Sequence, residues 1–148
     1  MFEVAVGKVL DRRETIEALE AFMLESGKTI ELETRHYFAE GTYTRELHIP
    51  AGVVLTGKIH RHSCINVLAK GTIVVTDGGV EREISAPHTF VSPAGAKKAG
   101  FALTDVVWIN VHPWDGEADL DLIEQQVIVP AHEALNHEDT PCLGSQQQ

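Results

Sequence analysis

Two cysteines in 148 residues are too few for a disulfide framework, and their surroundings differ: Cys64 stands in an apolar run and Cys142 in a polar tail. No apolar run approaches the roughly 20 residues needed to cross a bilayer. The opening Met1 to Gly7 lacks the basic stretch and long apolar segment of a secretory signal. Basic residues are scarce as well. The chain has 12 Lys and Arg against 22 Asp and Glu, a formal net charge of −10, and Lys97-Lys98 as its one adjacent lysine pair. That balance repels a phosphate backbone and argues against nucleic-acid binding. Several catalytic signatures are missing too: no Gly-x-Ser-x-Gly elbow, no phosphate-binding loop ending in Lys-Ser/Thr, and no Cys-x-x-Cys. The expectation is a cytoplasmic protein with neither membrane nor nucleic-acid partners.

The chain does have enough apolar residues for a core, 43% over a length suited to one domain. Ile16, Leu19, Phe22 and Met23 recur at helical spacing, predicting an amphipathic helix from Asp11 to Ser26, with Asp11 and Glu14 as a capping box and Gly27 at its end. From Thr29 to Pro113 the pattern changes to nine short strands. These are Thr29–Phe38, Tyr43–Ile49, Val53–His60, Ile65–Leu68, Thr72–Thr76, Val80–Ser85, Thr89–Val91, Ala96–Leu103 and Val106–His112. Turn residues separate most of them, and Asp77-Gly78-Gly79 reads as the clearest hairpin. Many short strands without intervening helices imply an antiparallel sandwich or small barrel. A short helix follows over Glu117–Val127, with Leu120, Ile123 and Val127 on one face. Trp108 and Trp114 could stack a sugar or base, but Trp108 reads rather as core and Trp114 as an anchor for that helix. The expected organisation is an N-terminal strand and helix (1–28), a barrel (29–114), a C-terminal helix (115–129) and a weakly ordered or assembly-forming tail (130–148).

Within the barrel, His60-x-His62 stands out. In an extended strand, His60, His62, Cys64 and Asn66 share one face. Two imidazoles, a thiol and an amide make poor core but a reasonable metal or proton site. The alternative is a hydrogen-bonded polar lining that binds a neutral ligand or water. Arg45 and Glu46 lie on opposite faces of their strand, so at most one points inward. His36, His48, His88, His132 and His137 read as surface or structural residues.

The stretch from about residue 42 to 113 resembles the cupin family. Gly52 or Gly57, His60, His62 and Gly71 match its first motif, and Pro93-Ala94-Gly95 matches the turn of its second. His36-Tyr-Phe-Ala, Tyr43-Thr-Arg-Glu, Ile49-Pro-Ala-Gly and Val107-Trp-Ile-Asn-Val-His-Pro are similar to small cupin-like proteins of bacteriophages and prophages. The resemblance implies a mainly β, double-sheet jelly-roll barrel flanked by the two helices. Two ligand positions depart from the pattern: the family's acidic ligand is replaced by Cys64 or Asn66, and its third histidine falls on Lys98. A tight turn at Thr104-Asp105 would pair Ala102 with Val107 and bring His112 beside Lys97, where that third histidine belongs. His60, His62 and His112 would then hold a divalent transition metal (zinc, iron or nickel), with Glu46 as a candidate carboxylate from a neighbouring strand. Cys64 and Lys98 are the candidates for assisting proton transfer.

Two functions follow. One is a metal-assisted enzyme of the isomerase, lyase or dioxygenase type acting on a small molecule. The other is a non-catalytic barrel of phage or prophage type that binds or assembles, located in the host cytoplasm or the virion. A homodimer or larger homo-oligomer suits a jelly roll with open sheet edges.

Overall fold

A computed structural model describes residues 12–77 and 80–128. The chain runs α1 (Arg12–Glu25), β1 (Glu33–Ala39), β2 (Thr42–Ile49), β3 (Val54–Thr56), β4 (Cys64–Lys70), β5 (Thr72–Asp77), β6 (Val80–Ser85), β7 (His88–Ser92), β8 (Ala99–Ala102), β9 (Val106–Pro113) and α2 (Leu120–Val127). One sheet has the order β1-β2-β9-β4-β7 and the other β3-β8-β5-β6, and every pairing is antiparallel. The mainly β double-sheet architecture and its two flanking helices match the expectation. The expected N-terminal strand, the capping residue Asp11, Gly78 and Gly79 of the hairpin, and the tail with His132, His137 and Cys142 lie outside the described residues.

The sheets close on Leu47, Ile49, Leu68, Ile73, Val75, Ala102 and Val106, all buried, with Leu68 and Ala102 fully so. This follows from period-two alternation: Leu47 and Ile49 turn inward from β2, and Ile73 and Val75 from β5. α1 ends at Gly27, whose φ of 65° fits a left-handed helix stop. It buries Ile16 and is fixed to the barrel by an ion pair between Glu20 and Lys97 at 2.7 Å. In α2, Asp119 caps the N-terminus by accepting from the Asp121 and Leu122 amides. Ile123 and Val127 pack against Tyr43 and Trp114, whereas Leu120 stays exposed rather than sharing their buried face.

Two expectations about local geometry are corrected. β8 and β9 do not form a hairpin, because the Thr104-Asp105 turn carries the chain from one sheet to the other. β8 pairs with β3 and β5, while β9 pairs with β2 and β4. The segment 57–63 is also not a strand. It crosses between sheets, held by the Gly57 amide to the Lys98 carbonyl (2.9 Å), the Gly95 amide to the His60 carbonyl (3.0 Å) and the Arg61 amide to the Val127 carbonyl (2.8 Å). Strand alternation therefore does not apply to His60 and His62.

Gly71 makes the equivalent crossing from β4 to β5. Its φ is 88°, and a Cβ there would run into the Asp105 carbonyl oxygen and the Thr104 hydroxyl. Gly71→Ala is expected to cost about 3 kcal/mol, combining left-handed strain with steric conflict. Gly52→Ala has similar φ but open space around it, so it should cost about 1 kcal/mol. Urea denaturation of both variants checks this, and equal losses would show that the crossing is not tightly packed.

Candidate metal centre and cavity

The inner face of the larger sheet carries its chemistry in rows set by strand register. Tyr43 is opposite His112, and Cys64 opposite Ser92. One pleat deeper come Arg45, Asn110, Asn66 and Phe90, then Leu47, Trp108, Leu68 and His88. Along β2, β9 and β4 the lining thus grades from titratable groups near the mouth to hydrocarbon at Leu47, Trp108 and Leu68, with His88 beside them on the edge strand β7.

His60, Cys64 and His112 converge at the mouth, with one candidate ligand atom from each lying within 4.8 Å of the others. His112 and Cys64 are buried, and His60 is half-buried. The His60 and His112 rings meet edge to face with centroids 4.7 Å apart. Tyr43 stacks on His112 at 5.9 Å and shares a 2.6 Å hydrogen bond with His36 Nδ1. The Cys64 thiol lies 3.7 Å from His60 Nδ1, and Asn110 Nδ2 donates towards its sulfur at 4.0 Å. His112 Nδ1 alone has no partner among the buried side-chain polar atoms of the described residues. Such an atom normally finds a donor, an acceptor or an ion.

Burial, reinforced by His112 and by the charges of Lys98 and Arg45, pushes His60 down to about 3. Burial and Arg45 push His112 down to about 4. Both rings are therefore neutral near pH 7, the state in which imidazole binds metal. Burial raises the Cys64 thiol, and nearby Lys98 opposes that effect. Two neutral imidazoles and a thiol that becomes a ligand as thiolate suit a borderline-soft divalent ion.

The remaining sequence candidates lie elsewhere. His62 is exposed outside this group, lining a separate hollow with Gly41, Pro113, Trp114 and Val127. Glu46 is on the outer face of β2, where it meets His48 at 2.7 Å and Arg35 at 3.8 Å. Lys98 donates to Ser92 and sits 5.4 Å from the Phe90 ring centroid. Ser92 also accepts from Asn66 Nδ2 at 2.6 Å, while Asn66 Oδ1 accepts from Asn110 at 2.7 Å and Trp108 at 3.3 Å.

Between this centre and the floor is a cavity of about 170 Å³, lined in part by Arg45, His60, Asn66, Ser92, Lys98, Trp108 and Asn110. Arg45 is the lining residue that the sequence reading leaves undecided, although its period-two spacing from Tyr43, Leu47 and Ile49 places it on their inward face.

Together the two antiparallel sheets and their flanking helices define a cupin-like double-sheet jelly roll. No family model matches the chain, and no curated protein sequence does either. Solved structures supply the likeness. KdgF from a Halomonas species is similar at 19% identity and TM-score 0.52, over 63% of this chain and 88% of that one. A cupin superfamily protein from Desulfitobacterium hafniense DCB-2 has 9% identity and TM-score 0.50, over 60% and 82%. A variant of salicylate 1,2-dioxygenase from Pseudoaminobacter salicylatoxidans has 12% identity and TM-score 0.51, over 76% of this chain and 35% of that one. At these identities the likeness concerns the fold. Among the described residues, no helix is long and apolar enough to cross a membrane.

Proposed function

We propose that this chain binds one divalent transition metal through His60, Cys64 and His112 and carries out metal-assisted chemistry on a small molecule in the adjoining cavity. The unpartnered, buried His112 Nδ1 in a convergent His/Cys/His group carries this reading. Cys64 favours zinc over iron or nickel, because thiolate is a soft ligand and adds the negative charge that two imidazoles lack. When bound, such an ion would polarise a carbonyl or acidify a water molecule.

The chain's own groups would hold and orient the reactants. Asn110 steadies the Cys64 sulfur, and Tyr43 stacks on the His112 ring. Lys98, fixed by Ser92 at the cavity wall, is the candidate for moving a proton to or from the bound molecule. His62 belongs in this reading to the rim, and Glu46 to the outer surface.

Elemental mass spectrometry on protein purified without chelator tests the proposal. Near one equivalent of metal is expected in the wild type and in His62→Ala, with little in His60→Ala/His112→Ala. An empty wild type after reloading with zinc, iron and nickel, or metal retained in the double variant, would sink it.

A second reading is favoured by the outer face of the larger sheet. Ile65 and Val91 are cross-strand neighbours there, and both are exposed, at 45% and 65%. An apolar pair on an open sheet face suits a homodimer or a binding and assembly role of phage or prophage type. Sedimentation of the wild type and Ile65→Lys would reveal a dimer that depends on this face.

A further inference from the structure

The cavity's charge is opposite in sign to that of the chain. Among the described residues no Asp or Glu lines it, although the sequence has 22 of them, whereas three of the 12 basic residues do: Arg45, Lys58 and Lys98. Lys58 is spoken for at the surface by Glu124. Arg45 makes no ion pair within 4.0 Å among the described residues; Glu124 acts on it only from beyond that distance, and its β2 neighbour Glu46 pairs with His48 and approaches Arg35 on the opposite face. Lys98 also lines the wall and is held by Ser92 and the Phe90 ring. A half-buried guanidinium that faces a cavity without a close counter-ion is costly to desolvate unless an anion joins it.

The remaining lining narrows the anion's chemistry. Leu47, Ile49, Leu55, Ile73, Val75 and Trp108 form a hydrocarbon floor, so a bare inorganic ion would leave most of the cavity unfilled. The volume of about 170 Å³ is close to the roughly 150 Å³ that accommodates a benzene ring. Asn66 and Asn110 are committed to their own hydrogen-bond network, leaving the two cations as the main charged contacts. Arg45 is two residues along β2 from Tyr43, the residue paired with His112. One pleat step of about 7 Å therefore separates the row of the cation from the row of the metal group.

We propose that the cavity takes a small organic carboxylate, its anionic end held between Arg45 and Lys98 and its apolar body resting on Trp108, Leu47 and Val75. This deepens the function proposed above by naming the class of molecule bound at that site, and it rests on that reading for the site's use. The guanidinium fork matches a carboxylate bidentately, and the ammonium supplies a second point charge. The arrangement selects charge at one end of the ligand and hydrocarbon at the other.

The test uses benzoate as probe, with benzamide as its neutral counterpart and inorganic phosphate as an anion lacking the apolar body. Binding is followed by calorimetry and tryptophan fluorescence, on metal-stripped and zinc-treated protein. Benzoate is expected to bind saturably, at least about tenfold tighter than benzamide or phosphate. Arg45→Met should remove that preference, Arg45→Lys should restore part of it, and Lys98→Met should weaken benzoate independently. Circular dichroism confirms that each variant is folded. Equal binding of benzoate and benzamide, phosphate binding tighter than benzoate, no saturable benzoate binding, or a preference unchanged in both Arg45→Met and Lys98→Met would overturn the proposal. Metal content measured on the zinc-treated samples separates the two ideas: benzoate binding by protein that takes up no zinc would leave the carboxylate seat standing and remove the metal centre.

Discussion

Metal-stripped protein will lose on the order of 3–4 kcal/mol of folding stability between about pH 7 and pH 5. The cause is the pair of buried imidazoles, His60 held down to about 3 and His112 to about 4 against an ordinary 6.5. In the unfolded chain both take up protons as pH falls through 6.5. In the folded protein they stay neutral until about 4 and 3. The unfolded state therefore binds more protons throughout this window, so stability falls as pH is lowered. His36, also depressed by burial, acts in the same direction. The lowered carboxylates Glu20 and Glu124 start from 4.5, below the window, and so contribute little to the loss. Urea denaturation at the two pH values, on wild type and on His60→Gln/His112→Gln, isolates the pair. A pH dependence unchanged in the double variant would show that these rings are more solvated than their positions imply.

Replacing Asn66 with Leu should destabilise the protein by about 3–5 kcal/mol despite the similar side-chain size. Asn66 is only 2% exposed and links three strands: its amide donates to Ser92 on β7, and its carbonyl oxygen accepts from Asn110 and Trp108 on β9. Leucine would leave these groups buried with fewer partners, and the resulting desolvation cost outweighs the added hydrocarbon burial. The loss of the Trp108 bond should also shift its emission. A variant as stable as wild type, with the same fluorescence, would mean that water or neighbouring groups replace the network readily.

Much of this architecture was legible in the sequence, for reasons that can be located. β2, β5 and β9 alternate cleanly, and a two-residue gap between Asp77 and Val80 specifies the β5–β6 hairpin seen in the pairing. His60, Cys64 and His112 were legible as chemical groups, but their convergence depends on sheet order. Thr104-Asp105 is short enough to suggest a hairpin, yet burial of Ala102 and Val106 is satisfied by placing their strands in opposite sheets. Periodicity within strands carries no information about that choice. His62 shows a related limit: alternation predicts its face only in extended backbone, and residues 57–63 are shaped by the crossing between sheets. Arg45 and Glu46 were equivalent until the apolar residues two positions away were allowed to decide which one turns inward.

The contact between the His60 segment and α2 has a thermodynamic consequence. His60 bridges to Ile128, and the Arg61 amide donates to the Val127 carbonyl, so the last turn of α2 is stitched to the loop bearing a proposed ligand. Ligation at His60 and seating of α2 are therefore linked equilibria. An ion that favours the seated arrangement must be favoured by it to the same degree, and whatever lifts α2 loosens the grip on the ion.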